Sequence, residues 1–162
     1  MVLPNINSGG TNVAVGDRAL NELNSGGNNI AVGSDALSST FQFGKGNIGI
    51  GSQALTDTTN GDDNVATGFQ ALSANTTGAD NIAAGANALN DNTTGDENLA
   101  LGRGALTNAP SAFGNVATGV HALQAASGVL EFPVRTATAT VVPAGRSATQ
   151  AADCHFAPAP PL

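Results

Sequence analysis

The chain has 162 residues, of which 10% are charged and 4% aromatic, with 21 Gly and neither Trp nor Tyr, so burial has to come from many small aliphatic contacts. Five Lys and Arg against twelve Asp and Glu give a net charge of -7, which excludes the clustered positive charge that nucleic acid or an anionic membrane surface needs. No apolar run reaches the roughly 18 residues of a membrane-spanning helix, so no membrane insertion is expected.

Residues 1–11 read as a lead-in, with Asn7-Ser8-Gly9-Gly10 resembling the close of a preceding unit. The start MVLPNINSGG has neither the basic opening nor the apolar stretch of a secretory signal. Export is therefore expected to depend on parts outside this chain, or on assembly inside the cell followed by release.

From Asn12 a unit of Asn, aliphatic, tiny, variable, Gly, two variable residues, Ala and Leu recurs seven times, to about residue 128. Its Asn falls at Asn12, Asn29, Asn47, Asn64, Asn81, Asn98 and Asn115, with spacings of 17, 18, 17, 17, 17 and 17. Its Gly falls at Gly16, Gly33, Gly51, Gly68, Gly85, Gly102 and Gly119. The second position is always aliphatic (Val13, Ile30, Ile48, Val65, Ile82, Leu99, Val116) and the third always tiny (Ala14, Ala31, Gly49, Ala66, Ala83, Ala100, Ala117). A fixed short period of this kind predicts a solenoid whose units bury themselves on their neighbours.

Within the unit at residues 81–97, side chains alternate from Asn81 to Gly85 as in a short strand, with Ile82 and Ala84 on one face and Asn81, Ala83 and Gly85 on the other. Gly85 permits a bend or a close backbone approach. Ala88-Leu89 predicts a second extended stretch, and Asn92-Thr93-Thr94-Gly95 a turn whose Gly is free to take positive φ. Gly and the Asn-Thr-Thr-Gly breaks leave no helix longer than two turns. The expected fold is all-β: a parallel β-roll of about seven 17-residue coils with two strands per coil, spaced about 4.8 Å apart. The Asn column forms an amide ladder. The expected core holds the aliphatic column, which leaves the Ala/Gly column to meet another chain, so self-association is expected. Residues 129–162 form a Pro/Ala-rich tail expected to be disordered, apart from a candidate strand, VRTATATVV (Val134 to Val142).

Few residues invite chemistry. Cys154 is the single cysteine, so no internal disulfide can form; its neighbour His155 lies in a Pro-rich segment, and adjacent side chains diverge. Gly44-Lys45-Gly46-Asn47-Ile48-Gly49 matches a dinucleotide fingerprint, but a helix must follow it, and here the repeat runs through it. Asp62-Asp63, Asp80 and Asp96-Glu97 stack as a carboxylate edge. That edge suits either a divalent cation or basic partner or, as the favoured reading, a solvated border that blocks lateral aggregation. His121 shares a variable column with Arg18, Asp35, Gln53, Gln70, Asn87 and Gly104, and reads as a surface residue. Asn75 and Asn92 fit the glycosylation pattern. The pairs Thr58-Thr59, Thr76-Thr77 and Thr93-Thr94 raise a remote ice-binding alternative, although they sit in turns. No catalytic, cofactor-binding or metal-ligating set emerges, so no enzyme and no cofactor are expected; the positions that stand out are the Asn and Gly columns.

The units NVATGFQALSANTTGAD and NIAAGANALNDNTTGDE resemble the Asn-x-Ala-x-Gly repeats of YadA-like head domains in trimeric autotransporter adhesins, and related repeats of phage tail fibres, over about Thr11 to Gly128. The resemblance implies a left-handed parallel β-roll, three chains side by side, and binding to a host surface protein, matrix or glycan. The unit here is longer than that typical of adhesin heads, and no neck, heptad stalk or membrane anchor is recognisable in the chain. The expectation is a non-enzymatic structural and adhesive module of a trimeric adhesin or tail fibre, located extracellularly, on a cell surface or on a virion. The alternative is an architectural shaft or spacer without a ligand of its own.

Overall fold

The structure is a computed structural model that describes residues 10–22, 25–38 and 44–124, and the backbone of residues 135–136. Its elements are β1 (Val13–Val15), β2 (Ile30–Val32), β3 (Ile48–Ile50), β4 (Val65–Thr67), β5 (Ile82–Ala84), β6 (Leu99–Leu101), β7 (Asn115–Thr118) and β8 (Arg135–Thr136). They form one parallel sheet in sequence order, a β-solenoid with no helix among the described residues. The chain completes six turns between β1 and β7 rather than the expected seven coils, and β7 lies about 29 Å along the axis from β1.

Register follows the repeat. Val13 pairs with Ile30, Ile30 with Ile48, and Ile48 with Val65, so the extra residue of the 18-residue spacing is absorbed outside the strands. β8 pairs Asn115 with Arg135 and Val116 with Thr136, inside the candidate strand from Val134 to Val142. The remainder of that tail, including Cys154 and His155, lies outside the described residues.

The side chains alternate along each strand as expected, but the two faces are assigned the other way round. Ala31, Ala66, Ala83, Ala100 and Ala117 are fully buried, whereas Val13, Val15, Ile50 and Ile82 are 49, 51, 44 and 43% exposed. The tiny column therefore lines the interior and the aliphatic column looks outward. The reason is the thickness of the coil: a Cβ placed on Gly49 would already touch the Leu37 side chain at 3.6 Å and the Ala54 carbonyl at 3.3 Å. A side chain larger than Ala has no room between the strand and the opposite wall.

That opposite wall is the second departure. Ala88-Leu89 is not a strand but part of a turn, so each coil carries one strand. Leu20, Leu37, Leu55, Leu72, Leu89, Leu106 and Leu123 all take the left-handed conformation, with φ between 50° and 55°. The residue two positions earlier does the same at Arg18, Asp35, Gln53, Gln70, Asn87 and His121. This double reversal turns the chain back within four residues and aims the Leu inward, where Leu20 through Leu106 are buried. A left-handed L-residue costs roughly 1–2 kcal/mol, and burying a Leu side chain returns roughly 2–3 kcal/mol. From Leu20 to Leu106 each Leu N–H also donates to the next coil, as from Leu89 to the Ala105 carbonyl at 2.9 Å. Burial and coil-to-coil bonding together offset the strain.

The Gly that follows each strand is required twice over. At Gly85 φ is 137°, and a Cβ there would lie 2.6 Å from the Gly102 carbonyl carbon and oxygen. At Gly95 the reason differs from the one expected. Its φ is not positive; a Cβ would lie 2.4 Å from Asn92 Oδ1 and collide with the Ala112 carbonyl, so the turn needs Gly for space alone.

Candidate functional site

The Asn column forms the predicted ladder inside the wall. Asn29, Asn47, Asn64, Asn81, Asn98 and Asn115 are buried. In each step the backbone N–H of one Asn donates to the Oδ1 of the Asn one coil earlier, for example Asn98 to Asn81 at 3.0 Å. Beyond Asn29 the side-chain amide donates there too, as from Asn98 Nδ2 to Asn81 Oδ1 at 2.9 Å. The second amide hydrogen reaches a carbonyl of the closing turn, as from Asn81 to Gly95 at 2.8 Å. Asn12, at the first coil, accepts from Asn29 N–H at 2.8 Å.

A second, shorter amide ladder sits in the turns. Asn92 Nδ2 donates to Asn75 Oδ1 at 3.3 Å and to the Gly95 carbonyl at 3.0 Å. Both Asn75 and Asn92 are fully buried, so the side chains that fit the glycosylation pattern are held in the wall and face away from solvent. Thr59, Thr76 and Thr93 each donate a hydroxyl to a carbonyl of the next coil, at 2.8–2.9 Å. These hydroxyls bind the stack together rather than forming a flat outward array.

The carboxylate edge is partly spent on the backbone. Asp62 accepts from the Lys45 N–H and Asp96 from the Ala79 N–H, each at 2.8 Å. Asp63, Asp80 and Glu97 occupy left-handed turn positions. Among the described residues no group of three acidic, His or Cys side chains is arranged to hold a metal ion. The fingerprint-like segment at Gly44 to Gly49 runs into β3 and then a turn, so the helix that would bind a pyrophosphate is missing there.

The variable column containing His121 forms side-chain pairs of its own. Arg18 clamps Asp35 with two bonds, Nη2 to Oδ2 at 2.8 Å, and that hydrogen bonding lowers the Asp35 carboxyl below its usual range while raising Arg18. Gln70 Nε2 donates to Gln53 Oε1 at 3.0 Å. The column then breaks at Gly104, below the exposed His121.

The broadest feature is the outward sheet face. Its two columns are Val13, Ile30, Ile48, Val65, Ile82, Leu99, Val116 and Val15, Val32, Ile50, Thr67, Ala84, Leu101, Thr118. These side chains are exposed or half-buried and carry no charge, so a continuous apolar strip runs along the sheet from β1 to β7. Sequence reasoning placed this column inside. The signal that could have corrected it is the tiny third position, because an interior with room for Ile would not need Ala or Gly there in every unit. Among the described residues no helix is long and apolar enough to cross a membrane. The chain matches no protein-family model, no curated protein and no solved structure.

Proposed function

We infer that this chain is a non-enzymatic structural and adhesive repeat module, and that three copies pack side by side through the outward sheet faces. The observation that carries the reading is the uncharged aliphatic strip of paired columns. Isolated solvent-facing sheets alternate apolar and polar faces, and a contiguous exposed apolar patch marks an interaction surface. The repeat's resemblance to YadA-like adhesin heads and tail-fibre repeats supports a left-handed roll, a threefold arrangement and an extracellular, cell-surface or virion location. The tiny column contributes by thinning each coil, not by contacting a neighbour. On this reading the polar columns and turns remain outside the assembly, free to meet a host surface protein, matrix or glycan.

The mass in solution tests it. Light scattering should give a trimer of the 15.8 kDa chain, and Ile82→Lys with Val65→Lys should yield folded monomers, because each buries a charge in the apolar strip. A wild-type chain that stays monomeric would sink the reading. The architectural alternative, a shaft without its own ligand, draws support from the turn hydroxyls and amides that are consumed by coil-to-coil bonds.

A further inference from the structure

The break at Gly104 differs from the rest of the wall. In the same column, neighbouring side chains satisfy one another, as Arg18 does Asp35 and Gln70 does Gln53. Asn87 is the next member, and the residue stacked on it is Gly104, which has no side chain to donate. Asn87 Oδ1 is shielded from solvent and has no hydrogen-bond partner, a state that costs roughly 1–3 kcal/mol. Thr107 lies beside it but spends its hydroxyl on the carbonyls of Gly104 at 2.7 Å and Asn87 at 3.2 Å.

The groups around this notch are not those of the other coils. One coil above, the His121 imidazole fills the space a Gly104 side chain would take, its Nδ1 2.6 Å from where a Gly104 Cβ would stand, and Gly104 itself is buried. Arg103 is exposed and makes no ion pair among the described residues. One coil below Asn87 and two below Gly104, Phe69 is 50% exposed, and its carbonyl accepts the Asn87 N–H at 2.9 Å, which places the Phe69 backbone directly beneath Asn87. The surroundings therefore offer an orphaned acceptor, an exposed guanidinium, an exposed imidazole and, one coil below Asn87, a half-exposed aromatic residue.

We propose that the Gly104 notch binds a neutral saccharide, whose hydroxyl or acetamido N–H donates to Asn87 Oδ1 while a sugar C–H face lies on Phe69. The His121 imidazole swings aside to admit it, and Arg103 donates to ring or hydroxyl oxygens. An anion would be opposed by the unpaired Asn87 oxygen and a cation by Arg103, so the chemistry selects an uncharged ligand with donors and an apolar face. The inference rests on the adhesive reading of the chain and gives it a ligand class.

The test is an amide NMR titration of the full chain with the trisaccharide of N-acetylglucosamine and with maltotriose, to about 10 mM, the range of weak sugar sites. At least one sugar should shift the Phe69, Asn87, Gly104 and His121 amides. Gly104→Gln should abolish the response, because it rebuilds the donor-acceptor column; Gln53 and Gln70 already occupy the same left-handed position, the His121 side chain has to turn outward to admit the new Cβ, and circular dichroism checks that the variant is folded. Phe69→Ala should weaken binding at least about tenfold. No shift with either sugar, shifts confined to other coils, or an unchanged response in Gly104→Gln overturns the proposal. Trimer mass is recorded in parallel: a trimer whose notch ignores both sugars refutes the saccharide site alone, whereas a monomer refutes the assembly.

Discussion

The ladder Asn illustrates how one residue type serves several bonds at once. Asn81 Oδ1 accepts from both the backbone and the amide of Asn98, and Asn81 Nδ2 donates to Asn64 and to Gly95. No other side chain of this size has both an acceptor and two donors on one planar group. Asn81→Ala strips partners from a buried N–H and a buried carbonyl, each worth roughly 1–3 kcal/mol, so an expected loss is about 3–5 kcal/mol. Chemical denaturation followed by circular dichroism measures it, and a loss below about 1 kcal/mol would mean that water replaces the amide. Asn12, only partly buried, should be the least sensitive member of the column.

At the level of the element, the coil is a three-residue strand facing a left-handed turn, not a pair of strands. The Ala-Leu pair was legible as a fixed element of every unit and as a candidate second extended stretch, but neither its burial nor its backbone conformation was. Leu rarely takes positive φ, so local preference pointed to an extended segment; tertiary burial of six Leu residues, Leu20 through Leu106, overrode it. This makes a shape-specific prediction. Leu89→Val removes a single methylene, worth roughly 1 kcal/mol by transfer, yet should cost about 2–3 kcal/mol because a β-branched residue is strained at φ near 51°. Equal stability losses for Leu89→Val and a Leu→Val change at the extended, half-buried Leu99 would contradict the turn geometry.

For the whole molecule, stability accumulates from nearest-neighbour contacts along one axis, since each strand pairs only with the strands before and after it. Excising residues 81–97 joins Asp80 to Asn98 with every column still in register, and should give a folded, shorter solenoid with a proportionally smaller dependence on denaturant. Excising residues 81–89 instead removes the strand and its facing Leu but leaves the turn, and should destroy the ladder from that coil onward. Far-ultraviolet circular dichroism and hydrogen exchange distinguish the two outcomes. The apolar strip on the sheet is also a property of this scale, because two columns of modest side chains become a continuous surface only once seven strands are stacked.

By itself the sequence determined the parallel all-β solenoid, its register, the amide ladder and the Gly column. Each follows from a period of 17 residues acting on short-range chemistry: alternation in a strand, Gly at a crowded bend, Asn paired with its own copy. The notch was half visible, as a Gly in a polar column, but the orphaned Asn87 oxygen beneath it was not. Which strand face lies inside was decided only by the tertiary structure, because that depends on the distance to the opposite wall, and the wall's position depends on seven Leu residues adopting a conformation that none of them favours alone. With the wall drawn in by that turn, only Ala or Gly fits beneath the sheet, and the aliphatic column is turned outward.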